Sequence, residues 1–274
     1  MKRIKSIAIL FFIYLFVISC QKNDDKIKFT FLQLNDVYEI GALEGGEVGG
    51  MDRVETLHQQ LLNENPNTFM FMAGDFLNPS LLGNIKYKGE RIKGKHMVEV
   101  MNAMDFDLVA FGNHEFDLNE EILQERINSS NFQWIATNLK QNVNSELFSF
   151  YKVQDSVKTE IPKTVIFDLK DSDGTKIQIG IFSATINSNP KPYVAYSDFY
   201  EDAKNAYNNL SRNTDLVFGL THLKISLDKM LSEMLPNVPL IMGGHEHNNM
   251  LIPVGESVIA KADANAKTVY VHRF

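Results

Sequence analysis

Five short apolar runs along the chain each stop abruptly in a cluster of polar side chains. Residues 29–34 run into Asn35-Asp36, 68–72 into Ala73-Gly74-Asp75, and 107–111 into Gly112-Asn113-His114-Glu115-Phe116-Asp117. Residues 215–220 run into Thr221-His222, and 239–242 into Gly243-Gly244-His245-Glu246-His247. Apolar runs of this length bounded by glycine read as buried strands. In open α/β sheets the ligand crevice lies beyond the carboxyl ends of the strands, so these five ends predict one shared site. Met51, Val54, Leu57 and Leu61 fall at helical spacing and predict a helix over 51–62, with His58 partly solvated beside the stripe. Met97, Val100, Met101 and Met104 predict a second helix, with His96 facing solvent at its start, and 118–127 a third with Ile122 and Leu123 inward. Residues 202–210 and 227–235 read as helices flanking the strand that ends at His222, while 132–136, 258–260 and 268–272 read as further strands. His272 reads as an ordinary strand residue. Between about 140 and 185 the pattern changes. Runs 164–169 and 176–182 flank Asp171-Ser172-Asp173-Gly174, a strong hairpin signal. Gly41 to Gly50 reads as a glycine-rich loop, and the loop over 186–199, with its two prolines, says little. The expectation is an α/β domain with mixed sheets over 28–274.

Composition adds the size and the setting. At 274 residues and 44% hydrophobic the chain suffices for one large core and is short for two. Lys2, Arg3 and Lys5 precede an apolar run over 7–18 that is shorter than the ~20 residues a spanning helix needs, which favours a cleavable signal. Cys20, the single cysteine, follows Val17-Ile18-Ser19 in a pattern that resembles a bacterial lipobox. Residues 1–19 are therefore expected to be a lipoprotein signal peptide, Cys20 the lipidated first residue, and 20–27 a tether. An ordinary signal peptide cut nearby, or an uncleaved segment, is the alternative. Gln21 and the polar residues after it resemble tethers that send lipoproteins to the outer membrane or cell surface. A single cysteine excludes an internal disulfide. The net charge is −7, and removing the three N-terminal basic residues would make it more negative still. Such a surface repels polyanions, so a nucleic acid polymer is not expected as partner.

The five strand ends supply Asp36, Asp75, Asn113, His222, His245 and His247. Two divalent cations ~3.5–4 Å apart need one shared anionic ligand and separate nitrogen and oxygen ligands, which this set provides. Mixed imidazole and carboxylate ligation suits Zn, Mn, Fe or Co better than Ca or Mg. Each residue alone has an ordinary explanation: Asp75 and Asn113 as turn residues, Asp117 as a helix N-cap with Glu120 three residues on, His222 as a core histidine. Their ordered occurrence at five strand ends favours the joint reading.

Asn35-Asp36, Gly74-Asp75, Gly112-Asn113-His114-Glu115-Phe116-Asp117, Gly219-Leu220-Thr221-His222 and Gly243-Gly244-His245-Glu246-His247 resemble, in this order, the motifs of calcineurin-like metallophosphoesterases, and within them the 5′-nucleotidase branch. The resemblance covers about 28–273. It implies a four-layered α/β sandwich and a dinuclear hydrolase of phosphomonoesters, plausibly nucleotides, acting through water activated by the ions. It further implies one ion on Asp36, Asp75 and His247, the other on Asp75, Asn113, His222 and His245. His114 would stabilise the transferring phosphoryl group or the leaving oxygen, oriented by Asp117. Two departures stand out. Where the family has Asp-x-His, this chain has Asp36-Val37-Tyr38: either Tyr38 is a phenolate ligand, or it stacks beside an ion held by three protein groups. The chain also ends where the family's catalytic domain ends, so the base-clasping C-terminal domain is expected from a separate chain, or selectivity is broad. A cyclic-nucleotide phosphodiesterase, a nucleotide-sugar pyrophosphatase and a non-catalytic binding lipoprotein are the alternative functions.

Overall fold

The computed structural model describes residues 26–274; the expected signal peptide, Cys20 and most of the tether lie outside the described residues. In chain order the principal elements are β1 (Thr30–Leu34), α1 (Met51–Glu64), β2 (Thr68–Met72), α2 (Lys95–Ala103), β3 (Leu108–Ala110), α3 (Glu120–Ser129), β4 (Gln133–Ile135) and β5 (Thr164–Lys170). There follow β6 (Lys176–Thr185), α4 (Phe199–Leu210), β7 (Leu216–His222), α5 (Ile225–Met234), β8 (Leu240–Gly243), β9 (Met250–Val254), β10 (Ser257–Lys261) and β11 (Tyr270–Arg273).

The strands form two mixed sheets. One has the order β11-β1-β2-β3-β4, parallel except for β11. The other has the order β5-β6-β7-β8-β10-β9, with parallel β6, β7, β8 and β10 flanked by antiparallel β5 and β9. The two sheets face each other across a core to which the first gives Phe31, Phe71, Leu108 and Ile135, and the second gives Ile179, Ile181, Phe218, Leu220 and Met242. Opposite faces of the same strands meet helices. Leu32, Leu34 and Met70 pack with Met51, Val54, Met97, Met101, Leu123 and Ile127 of α1 to α3. Phe182 and Ile241 pack with Ala203, Leu210 and Leu231 of α4 and α5. Helices, sheet, sheet and helices are thus stacked as four layers. Both faces of the central strands are covered, and for that reason the sequence there is continuously apolar instead of alternating. Burial of a side chain such as Phe31 contributes about 1.5–3 kcal/mol.

Several local expectations are corrected. The third helix starts at Glu120, not 118. Asn119 caps it, its Oδ1 accepting from Ile122 N at 3.1 Å, so Asp117 is no helix cap and its carboxylate is free for another partner. The Gly41–Gly50 stretch is not all loop, since Ala42–Leu43 and Val48–Gly49 pair across a tight turn. Within 186–199, Val194–Tyr196 pairs with Leu139–Val143. His58 is buried in α1, His96 lies half-buried against Ser80 Oγ at 3.1 Å, and His272 Nε2 donates to Gln33 Oε1 at 2.9 Å. Among the described residues no helix is long and apolar enough to cross a membrane.

Candidate active site

The parallel strands of both sheets run the same way, so the carboxyl ends of β1, β2, β3, β7 and β8 open onto one edge. The loops there are stitched within each sheet and across the two. Asp36 N donates to Gly74 O (3.0 Å), Gly244 N to Thr221 O (3.0 Å), and Thr185 Oγ1 to Phe111 O (2.7 Å). Asp36, Asp75, His245 and His247 all have positive φ, between 52° and 90°. Non-glycine residues rarely adopt this conformation, and its clustering is characteristic of sites whose surroundings hold the strain. The Gly74-Asp75 turn sits so close to Gly112 that a Cβ on Gly112 would lie 2.2 Å from Asp75 Oδ1; only glycine fits.

The expected ligand side chains meet at this edge. Asp36, Asp75 and His247 offer donor atoms that lie within 4.8 Å of one another. His247 Nε2 is 3.2 Å from Asp36 Oδ1. Asp75 Oδ1 accepts from His114 N at 2.7 Å, while its Oδ2 is 3.0 Å from His222 Nε2. His222 Nδ1–H donates to Ala73 O at 2.7 Å, which fixes the tautomer and turns Nε2 inward. That Nε2 is fully buried and makes no hydrogen bond, close as Asp75 is. His245 Nδ1 lies 3.1 Å from Asn113 Oδ1, and its ring centroid is 5.3 Å from that of His222.

The electrostatics ask for a cation here. Burial raises the Asp36 pKa, but His222, His247 and Asn35 outweigh it and hold the carboxyl below its usual range. Burial would lower His222, yet Asp75 and Asp36 push it up to about 10. His247 is raised chiefly by its contact with Asp36, and His245 is lowered by burial and by His222. The two buried carboxylates therefore draw a proton onto His222. A metal ion would take the place of that proton, as ligation by imidazole requires. The donor set and the buried, inward-turned Nε2 fit the pair of ions expected from the sequence.

Tyr38 lies against the Asp36, Asp75 and His247 side of the cluster. Its buried ring stands edge-on to His247, centroids 5.5 Å apart, and to His114 at 6.4 Å. Its hydroxyl reaches Asp36 Oδ1 (3.3 Å), Asp75 Oδ2 (3.3 Å) and His247 Nε2 (3.0 Å). Burial, then Asp75 and Asp36, raise its pKa, so without a cation it is a neutral phenol.

His114 stands at the rim, its Nδ1 2.6 Å from Asp117 Oδ2. Asp117 is held in turn by Asn78 Nδ2 at 2.9 Å and by a short contact from Asn189 Nδ2. Burial raises the Asp117 carboxyl, but His114, Asn189 and Asn78 bring it below the ordinary value and keep it ionised. With Nδ1–H committed to Asp117, Nε2 is the reactive nitrogen.

Several supporting groups carried no role in the sequence reading. The Glu115 carboxylate, wholly buried, accepts from Gly112 N (2.7 Å), Asp75 N (2.8 Å), Phe76 N (2.8 Å) and Leu77 N (3.1 Å), strapping the β2 and β3 loops together. Burial and Asp75 push its pKa up to about 7, against the pull of those amides. Lys261 ends β10 in the interior, with Nζ contacting Asp228 Oδ2 (2.8 Å), Gly244 O (2.8 Å), Leu223 O (2.5 Å) and Glu246 Oε2 (2.5 Å). Asp228 also accepts from Thr221 Oγ1 at 2.7 Å. The ammonium thus ties together the neighbours of His222, His245 and His247. The signal for Lys261 was a lysine closing an apolar strand. Asn78 and Asn189, each before a proline, carried none.

The calcineurin-like phosphoesterase family matches residues 29–249. The chain is 25% identical over 232 residues to snake venom 5′-nucleotidase of Crotalus adamanteus, covering 79% of this chain and 36% of that protein. It is 24% identical over 229 residues to the trifunctional nucleotide phosphoesterase YfkN of Bacillus subtilis, covering 76% of this chain and 15% of that one. The solved 5′-nucleotidase precursor from Thermus thermophilus superposes with a TM-score of 0.72 at 22% identity, over 90% of this chain and 51% of that one, a likeness of fold. The chain spans about a third of the length of the 5′-nucleotidases it matches.

Proposed function

The chain belongs to the calcineurin-like phosphoesterase family, and from that premise we propose that it is a metal-dependent phosphohydrolase that cleaves phosphomonoesters, with nucleotides as its substrate class. The reading is carried by the convergence of six ligand-type side chains on one edge with the His114–Asp117 pair beside them. The nucleotide part is supported by the names of the relatives, which are 5′-nucleotidases and a nucleotide phosphoesterase.

In this proposal Asp36, Asp75 and His247 hold one divalent ion, and Asp75, Asn113, His222 and His245 hold the other. Such a pair, when bound, supplies Lewis acidity toward the phosphoryl group and a water ionised near neutral pH. The protein's own groups do the rest. Glu115 and Lys261 keep the ligand loops in register. Asp117 orients His114 and favours its imidazolium, so that Nε2–H donates to the leaving oxygen as the ester bond breaks.

Replacing His114 with Asn should therefore lower kcat on a nucleoside monophosphate by ~10²–10⁴ while metal content and KM stay nearly unchanged. A nitrophenyl ester, whose leaving group needs no proton, should suffer less. Full activity in His114→Asn, or loss of its metal, would sink this assignment.

Two further proposals concern the ends of the domain. Cys20 is proposed to be lipidated and to anchor the chain at the bacterial outer membrane, on the strength of the sequence around it. A Cys20→Ala form should then leave the detergent phase, and remaining there would count against lipidation. Base recognition is proposed to use contacts from beyond this domain, since the match takes in only about a third of the relatives' length.

A further inference from the structure

His114 and Asp117 stand at the rim of the site with side chains 37% and 27% exposed, so burial does not hold them in place. Their orientation has to come from hydrogen bonds. An ionised carboxylate only accepts, and one with a single partner is free to turn about its own side-chain bonds in water. Asp117 is not left so. Its Oδ2 takes His114 Nδ1–H at 2.6 Å and Asn78 Nδ2 at 2.9 Å, while its Oδ1 takes Asn189 Nδ2 in a short contact.

Of these partners Asn189 is the one that comes from the second sheet. It lies on the loop after β6, where Asn187, Ser188 and Pro190 are exposed and Asn189 is half-buried. The loop is tied at both ends: Ile186 N donates to His222 O at 2.9 Å, and the Tyr193 hydroxyl to Leu118 O at 2.7 Å. Between these ties Asn189 Nδ2 reaches Asn113 O at 3.3 Å as well as Asp117 Oδ1. Both partners accept, which sets the carboxamide with its nitrogen toward them and uses both of its hydrogens. Asn113 and Asp117 bracket His114 in the chain. One side chain thus pins, at both ends, the turn that carries the imidazole.

We propose that Asn189 is a positioning residue for His114: it holds the Asp117 carboxylate in the orientation that engages Nδ1–H and so aims Nε2 at the leaving oxygen. The proposal rests on the phosphohydrolase reading above and adds to it a residue outside the strand-end motifs. Its polar contacts are to the Asn113 backbone and the Asp117 carboxylate, so its effect reaches the reaction through His114. Asp in its place, although equal in size, has no hydrogen to give to either acceptor.

The test is steady-state hydrolysis of a nucleoside monophosphate and of nitrophenyl phosphate by the metal-loaded, full-length protein. Asn189→Ala should lower kcat on the monophosphate by ~10–100-fold, the worth of a hydrogen bond to a charged group, with KM and metal content unchanged. Asn189→Asp should fall at least as far. Nitrophenyl phosphate, whose leaving group needs no proton, should lose less in both. In a His114→Asn background the same substitutions should cost nothing more, because the group they position is gone. Undiminished turnover in both Asn189 variants, equal losses on the two esters, a further loss on top of His114→Asn, or metal lost with the side chain would each overturn the positioning role and leave the phosphohydrolase reading standing. A metal-loaded wild type that cleaves neither ester would instead overturn that reading, and this role with it.

Discussion

Asp75 touches both halves of the site. Its Oδ1 is fixed by the His114 amide at 2.7 Å, and its Oδ2 lies between His222 Nε2 at 3.0 Å and the Tyr38 hydroxyl at 3.3 Å. His247, in contrast, meets only the Asp36 and Tyr38 side. Asp75→Asn should therefore deplete both ions, and His247→Ala mainly one, by elemental analysis of purified protein. Two ions retained in Asp75→Asn would disprove the shared-ligand assignment. The ligand-type side chains of this site were legible as an ordered set, each close behind an apolar run, although each taken alone has an ordinary explanation. The groups that support them were not. Glu115 works by accepting four backbone amides from two loops, and no spacing in the sequence shows that those loops will touch. The same holds for Asn189, seventy-two residues from the Asp117 carboxylate it holds.

At the scale of elements, burial on both faces made β1, β2, β3, β7 and β8 easy to read. Sequence reading was weakest where burial is partial. The edge strand β9, Met250–Val254, alternates between half-buried and exposed positions and contains Pro253, which argues against a strand unless it lies at an edge. Two-residue pairings such as Ala42–Leu43 with Val48–Gly49 bury almost nothing and leave no periodic trace. His58 was misjudged because α1 is covered on a broader face than its four apolar positions define. Lys261 shows the opposite case, in which a charge sits inside because its partners are brought there by three other elements: the β7 loop, the β8 loop and α5.

At the scale of the whole molecule, the fold closes where β11 returns to pair with β1 and places His272 against Gln33. Gln33 Nε2 in turn donates to Ala260 O at 2.8 Å in the second sheet, so His272 belongs to the seam between sheets. Burial lowers its pKa from 6.5 to about 4. The unfolded chain then binds the proton that the folded chain refuses, so stability is fully present above pH 6.5 and is lost as pH falls toward 4. The effect is on the order of 3 kcal/mol at most, and His272→Gln should flatten that part of the curve of urea midpoint against pH. An unchanged slope would show that acid acts elsewhere. The central claim, that two ions gathered by five strand ends make this chain a phosphomonoesterase, is tested most directly by phosphate release. Metal-free protein is titrated with manganese or zinc while inorganic phosphate liberated from a nucleoside monophosphate is measured. Release should begin with added metal and saturate at two ions per chain; two ions fully bound with no phosphate released from any monoester would contradict it.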